Sequence, residues 1–96
     1  MQLARVIGTL VATRKDEKME GLKFLVVRPV TLDGQDTGHA LVAVDGVGAG
    51  VGEMVMIATG SSARQTVMTD KRPCDAVIMA IVDTWEVGGE VKYRKD

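Results

Sequence analysis

Residues 53–83 read EMVMIATGSSARQTVMTDKRPCDAVIMAIVD, and this segment decides the fold. It begins with an apolar run at 53–59 that predicts a strand, and it ends with a nearly continuous apolar run at 76–83 that fits a strand buried on both faces. Between them, residues 60–65 predict a turn capped by serine that opens one short helix, and residues 69–75 form a polar connection. The segment therefore predicts strand, short helix and strand.

Three further strands are predicted before this segment, at residues 3–13, 22–30 and 39–45. Gly8 marks a bend in the first strand, and Pro29 indicates a strand end or an edge position in the second. Asp33-Gly34 is a hairpin signal, and the Gly88-Gly89 pair near the end predicts a final hairpin or an arm. Five strands and one short helix predict a mainly all-β chain that forms a small, closed or partly open β-barrel.

The chain length of 96 residues favours a single domain spanning 1–96 with a modest core. Cys74 is the only cysteine and His39 the only histidine, so the sequence offers no disulfide and no cysteine or histidine pair to start a metal site. Small cores are often completed by subunit contacts. Oligomerisation is therefore the expected source of additional burial.

The charges nearly balance, with 12 Lys and Arg against 13 Asp and Glu, for a net charge of −1. A nucleic-acid partner is not expected, because such proteins carry a basic excess that neutralises phosphates. A membrane partner is not expected either, since no apolar run approaches the ~20 residues that span a bilayer. The unpaired cysteine and the absence of a signal-peptide pattern at the start predict a cytoplasmic location.

The glycine run GVGAGVG at residues 46–52 resembles a phosphate-binding loop at first sight. Such loops end at a helix N-terminus, but here a strand pattern follows and no Gly-Lys-Ser/Thr is present. If the run is extended, its alternating glycines present bare backbone on one side. We therefore expect Gly48, Ala49 and Gly50 to lie where another chain packs, and no cofactor is assigned.

The serines at positions 61 and 62 do not form a nucleophile elbow, because Arg64 stands where the second glycine belongs. Helix capping is the favoured interpretation of both. Arg64 is expected to pair with a carboxylate such as Asp45, Glu53 or Asp83, within or between subunits. Nothing in the sequence fixes the separation of those carboxylates, so no catalytic residue and no metal ligand are assigned.

A barrel that binds single-stranded nucleic acid needs aromatic platforms lined by basic groups. This chain has Phe24, Trp85 and Tyr93 as its aromatic residues, and Phe24 lies in an apolar strand that predicts a core position. A free-standing oligomeric barrel that binds single-stranded nucleic acid or a small ligand remains the alternative function.

Taken together, several segments resemble the EutN/CcmL family of microcompartment vertex proteins. The matching segments are residues 6–9, 13–15, 22–23, 43–53, 60–64, 72–75 and 81–83. The resemblance therefore runs nearly from end to end. Cys74 departs from the valine that is frequent in the family, and residues 87–96 lie in a variable region.

The resemblance implies a barrel similar to the oligonucleotide-binding fold that assembles as a cyclic homopentamer. It also implies a structural, non-enzymatic role at the vertices of a bacterial microcompartment, with hexameric and trimeric shell proteins as neighbours. In such a ring, Gly48, Ala49, Gly50, Ser61, Ser62 and Arg64 are the candidates for the subunit interface or the axial pore. Arg14, Lys15 and Arg72 are the candidates for the rim that faces other shell proteins.

Overall fold

The regular structure of the chain is almost entirely β, as the sequence predicts. The computed structural model describes residues 1–13, 15–70 and 74–96. Its strands are β1 (Gln2–Leu10), β2 (Phe24–Pro29), β3 (Leu41–Asp45), β4 (Met54–Thr59), β5 (Ala76–Ile81), β6 (Thr84–Val87) and β7 (Glu90–Arg94). Short 3-10 turns occur at Glu17–Met19 and Gly60–Arg64. No helix in these described residues has the length and apolar character needed to cross a membrane.

The first five strands close into a barrel in the order β1-β2-β3-β5-β4, with β4 pairing back to β1. Every pairing in the barrel is antiparallel except that of β3 with β5, which is parallel. Closure satisfies the backbone groups that an open sheet leaves at its edges. The predicted five-stranded barrel is confirmed.

Alternate side chains of the strands fill the barrel interior, as the period of two residues requires. The interior residues are Ala4, Val6, Leu25, Val27, Ala43, Val55, Ile57, Ala76 and Ile78. A second cluster covers the outside of the barrel beside the Gly60–Arg64 turn, and it includes Phe24 and Ala63. Phe24 is therefore buried, as predicted.

Two predicted irregularities of the strands are confirmed. The pairing of β1 with β2 shifts register between Val6 and Gly8, which is the predicted bend. Pro29 is the last residue of β2, which is the strand end that its missing backbone donor predicts.

Two local predictions are wrong. The residue that precedes the 3-10 turn is Thr59, which makes no side-chain cap, and both Ser61 and Ser62 lie inside the turn, so neither caps a helix. Only the first half of β5 is buried, because Met79 is exposed and the strand ends at Ile81. An apolar run alone does not distinguish a strand buried on both faces from one that leaves the core halfway along its length.

The predicted final hairpin is confirmed as β6–β7. Gly88 and Gly89 form its two-residue turn with φ angles of 60° and 84°, the left-handed conformation that glycine adopts without strain. Trp85 stacks on Tyr93 across the hairpin, with ring centroids 5.0 Å apart. The indole Nε1 of Trp85 also donates a hydrogen bond of 2.8 Å to the carbonyl oxygen of Leu32, which holds the hairpin against the loop after β2.

Candidate functional site

The glycine loop, residues 46–52, begins at a carboxylate that holds its backbone. Asp45 is the last residue of β3, and its Oδ1 accepts hydrogen bonds from the backbone N–H groups of Val47, Gly48 and Ala49 at 3.0, 3.1 and 3.2 Å. An aspartate before a turn commonly accepts such bonds. One buried oxygen therefore orders the first half of the loop.

The second oxygen of Asp45 has a different environment. Its Oδ2 is buried without a hydrogen-bond partner, and the nearest cation is Lys23, whose Nζ lies 3.6 Å away. The Lys23 side chain is mostly exposed, whereas that of Asp45 is fully buried. The hydrogen bonds of Oδ1 and the charge of Lys23 offset the cost of burying this carboxylate. Its geometry indicates a structural role.

Glu53 closes the other end of the glycine loop. Its Oε1 accepts a hydrogen bond of 2.6 Å from the backbone N–H of Gly50, and its Oε2 lies 2.7 Å from Nζ of Lys95. These two bonds, that of Lys95 first, lower the pKa of Glu53 below its ordinary value of 4.5. The N–H of Gly52 also donates to the carbonyl of Val6. The loop is thus fixed to its own subunit at both ends.

The glycine loop is not extended, so the predicted one-sided row of bare positions is wrong. Gly48 and Gly52 have φ angles of 79° and 92°, which explains why glycine is favoured at these two positions. A Cβ on Gly48 would meet open space, so its exposed backbone is available to another chain. The expectation for Ala49 changes, because Ala49 is buried in the subunit's own core.

The Gly60–Arg64 turn presents three of the predicted residues to solvent. Ser61, Ser62 and Arg64 are exposed, while Ala63 anchors the turn in the second apolar cluster. Arg64 donates through Nη1 to the carbonyl oxygen of Cys74 at 3.0 Å. Within the described residues, no ion pair joins Arg64 to a carboxylate, and Asp45 and Glu53 are paired with Lys23 and Lys95 instead. Pairing between subunits stays a prediction.

The two predicted segments do not form one compact site. The glycine loop enters β4 at Met54 and the turn leaves it after Thr59, so they lie at opposite ends of a six-residue strand. At the usual rise of a strand, this separation is roughly 17 Å. Any subunit interface that includes both must run along the side of the barrel.

An apolar groove of about 340 Å³ lies along that side. It is lined by residues from the start of the glycine loop, from β5 and from the turn at 66–68, among them Val47, Val67, Met68 and Met79. All four of these side chains are exposed. The groove thus extends from the glycine loop to the segment that follows the Gly60–Arg64 turn.

The rim candidates are only partly described. Lys15 donates to the carbonyl of Ala12 at 3.3 Å, and its Nζ lies 4.0 Å from Oε2 of Glu20. Arg14 and Arg72 lie outside the described residues. Within residues 1–13, 15–70 and 74–96, no three His, Cys, Asp or Glu side chains are grouped so that they could hold a metal ion.

Sequence reasoning missed the residues that fix these segments to the rest of the subunit. Lys95 and Trp85 were assigned no role, although they tie the hairpin to Glu53 and to Leu32. No local pattern signals these contacts, because the partners are 42 and 53 residues apart in the chain. The role of Asp45 does have a local signal, namely an aspartate before a glycine-rich turn.

Comparison with known proteins identifies close relatives. The family model described as "Ethanolamine utilisation protein EutN/carboxysome" matches residues 1–83. The carboxysome shell vertex protein CcmL of Gloeobacter violaceus is 44% identical over 95 residues, which cover 99% of this chain and 95% of that protein. The solved structure of CcmL from the same organism matches with a TM-score of 0.94 over 99% of this chain and 98% of that chain.

A pentameric microcompartment shell protein, GrpN from Rhodospirillum rubrum, is also similar. Its solved structure matches with a TM-score of 0.82 at 46% identity, over 91% of this chain and 99% of that chain. The family model ends at Asp83, one residue before β6. The family model therefore matches the barrel, whereas the similarity to CcmL covers 99% of the chain and so extends into the hairpin.

Proposed function

The chain belongs to the EutN/CcmL family of microcompartment shell vertex proteins, and from this we propose that it forms homopentameric rings that pack against hexameric and trimeric shell proteins. The observation that carries the proposal is the match, over nearly the whole chain, to shell vertex proteins that include a pentameric one. The role is structural rather than enzymatic, and its site of action is the microcompartment shell.

The contribution of such a ring is geometric. Hexagonal units tile a flat layer, and a flat layer does not close on itself. A five-fold unit at a corner removes one sector from the hexagonal pattern and thereby introduces curvature. A vertex protein needs surfaces that fit its neighbours, and it needs no reacting groups.

A cyclic ring is built from one heterologous contact, in which two different surfaces of each subunit meet. We assign one of these surfaces to the apolar groove together with Gly48, Gly50, Ser61, Ser62 and Arg64. The exposed backbone at Gly48 permits close approach of another chain, and the exposed apolar side chains of the groove gain stability when a neighbour covers them.

The glycine assignment is tested by Gly48→Asn, with Gly38→Asn as the matched control. Both glycines have left-handed φ angles and open space at the Cβ position, and asparagine tolerates that backbone better than other side chains. We expect Gly48→Asn to shift native mass spectra from pentamer to smaller species and Gly38→Asn to leave the ring intact. A ring unaffected by Gly48→Asn removes this position from the interface.

The rim assignment of Arg14, Lys15 and Arg72 rests on their charge and on the exposure of residues 16–18, which follow Lys15. Contacts made by such residues are screened by salt. Charge reversal at Arg14 and Lys15 is expected to reduce the incorporation of rings into shells while the rings themselves persist. Shells that are capped normally by the reversed variant would contradict the assignment.

The shell function itself is tested by coexpression with a hexameric shell protein, followed by electron microscopy. We expect closed polyhedra when this chain is present, and open sheets or tubes when it is absent. Unchanged open assemblies, with intact pentamers in the same lysate, would overturn the vertex role.

The alternative, a free-standing barrel that binds single-stranded nucleic acid or a small ligand, gains no support from the aromatic residues. Phe24 is buried, and Trp85 and Tyr93 stack on each other instead of presenting open platforms. A fluorescence-anisotropy titration with oligonucleotides at moderate salt should show no saturable binding.

A further inference from the structure

Two arginines lie directly opposite each other on the outer wall of the barrel. Arg5 of β1 and Arg28 of β2 are Cα partners in the antiparallel ladder. The next pair in the ladder, Val6 and Val27, belongs to the interior, so alternation places both arginines outside. Both side chains are half-buried. Opposed side chains in such a ladder have Cβ atoms about 5 Å apart, so the two positive charges are close neighbours.

Neither guanidinium has a hydrogen bond or an ion pair within the described residues. The undescribed positions are Arg14, Lys71, Arg72 and Pro73, and none of these side chains carries a carboxylate. Like charges that face each other across a ladder destabilise the sheet, and half burial reduces their solvation. The isolated subunit therefore contains a concentrated positive site without its own counter-charge.

We propose that Arg5 and Arg28 together bind a carboxylate from an acidic side chain of the adjacent subunit in the ring. The proposal rests on the homopentamer proposed above and names the second surface of its contact. Guanidinium groups donate paired hydrogen bonds that match the two oxygens of a carboxylate. One carboxylate between the two groups satisfies donors of both and removes their repulsion.

The position of the pair favours another copy of this chain as the source of the carboxylate. In the barrel order, β1 is next to β2 and β4, so it lies across the barrel from β3 and β5. The apolar groove borders β5, so the arginine wall and the groove wall face away from each other. A cyclic ring requires two such surfaces on every subunit. Exposed Ile7 of β1 also lies on the arginine wall, and arginine beside apolar residues is typical of interface centres.

The test uses Arg5→Gln, Arg28→Gln and the double variant, with Arg94→Gln as a control that removes an exposed arginine from the hairpin. Isotope-labelled and unlabelled rings are mixed, and native mass spectrometry follows the exchange of subunits between them. We expect Arg5→Gln and Arg28→Gln each to speed exchange by at least about tenfold, because losing one partner of a buried charge contact mainly raises the dissociation rate. Arg94→Gln should exchange like the wild type.

A second measurement separates assembly from folding. In dilute samples where rings have dissociated, single arginine variants should unfold at the same or a higher urea concentration than the wild type, because a repulsion is lost. Assembly and subunit stability should thus change in opposite directions. A general loss of subunit stability in both variants would overturn the proposal.

The failure of this inference is distinguishable from that of the proposed function. Wild-type protein that forms no pentamer contradicts the ring itself, whereas intact rings with wild-type exchange in the double variant contradict only the arginine site. Inorganic phosphate is the probe for a free anion. If phosphate raises the melting temperature of dissociated wild-type subunits, but not of the double variant, the site binds a small anion and the proposal is wrong.

Discussion

Nζ of Lys95 lies 2.7 Å from Oε2 of Glu53, so the end of the C-terminal hairpin is tied to the residue that closes the glycine loop. The other oxygen of Glu53 holds the backbone of Gly50. A single carboxylate therefore connects the C-terminal hairpin to the loop that we place at the subunit interface. Because of this ion pair, a substitution in the hairpin can change the geometry of the glycine loop while the barrel core stays the same.

The Lys95–Glu53 pair predicts a pH-dependent contribution to stability. The pKa of Glu53 is lowered chiefly by its hydrogen bond from Lys95, and the pKa of Lys95 is raised above 10.5 by the same bond. The stabilisation is thus present above pH 4.5 and is lost as pH falls through the lowered pKa of Glu53. At the alkaline end it is present below pH 10.5 and is lost as pH rises through the raised pKa of Lys95.

Lys95→Met should therefore lower the urea midpoint of unfolding at neutral pH, and the difference from wild type should shrink in acid below pH 4.5. Measurements at one fixed protein concentration keep the contribution of ring assembly constant. Arg94→Gln, which removes a neighbouring charge, should leave the midpoint unchanged. A difference that persists undiminished in acid would show that Lys95 acts by packing and not through Glu53.

Asp45→Ala is predicted to destabilise the subunit. The substitution leaves three backbone N–H groups without their acceptor. The N–H of Ala49 is buried, so water does not replace the carboxylate there. We expect a loss on the order of 1–3 kcal/mol in the free energy of unfolding, measured by urea denaturation. Asp45→Asn should lose less because it retains an acceptor oxygen. Asp36→Ala, at an exposed position, should change stability by no more than about 0.5 kcal/mol.

The sequence predicts the elements well where the signals are local. Runs of apolar and β-branched residues mark the strands, Gly8 marks the shift in β1, and Gly88-Gly89 marks the hairpin turn. The parallel pairing of β3 with β5 and the closure of β1 on β4 depend on contacts between distant segments. The family resemblance implies the barrel as a whole, but no local pattern encodes which strands meet, so these pairings are known only from the structure.

The candidate site was less predictable for the same reason. Ala49 follows the glycine pattern, yet its side chain turns into the core because Asp45 bends the loop. Arg5 and Arg28 are unremarkable in their separate strands and become a pair only through the register of the ladder. A sequence shows the chemistry of each side chain, but it does not show which side chains of different strands become neighbours.

Removal of the hairpin is predicted to leave a folded barrel. The barrel closes without β6 and β7, and two-stranded hairpins have little stability of their own. A variant ending at Asp83 should retain its β-sheet circular dichroism and still form pentamers, with a lower melting temperature because the contacts of Trp85 and Lys95 are gone. Loss of the fold would show that the hairpin completes the core.

Trp85→Phe tests how the hairpin is docked. Phenylalanine keeps a ring against Tyr93 but removes the hydrogen bond to the carbonyl of Leu32. We expect faster hydrogen exchange in the hairpin, with unchanged exchange in the barrel strands. The free energy of opening of the hairpin amides should fall by about 0.5–1.5 kcal/mol, which is the usual net contribution of one hydrogen bond. Equal exchange in both proteins would mean that stacking alone holds the hairpin.

Val67 offers a direct test of the apolar groove as a subunit contact. Its side chain is fully exposed, in a turn held by the hydrogen bond of 2.5 Å between the hydroxyls of Thr66 and Thr69. Val67→Asp should therefore change subunit stability by no more than about 0.5 kcal/mol. In a ring that buries the groove, the same change places an unpaired charge in an apolar contact and should disperse the pentamer in sedimentation experiments. Val11→Asp, at a similarly exposed valine outside the groove, is the matched control and should leave the ring intact. Pentamers that persist in Val67→Asp would exclude the groove from the ring contact.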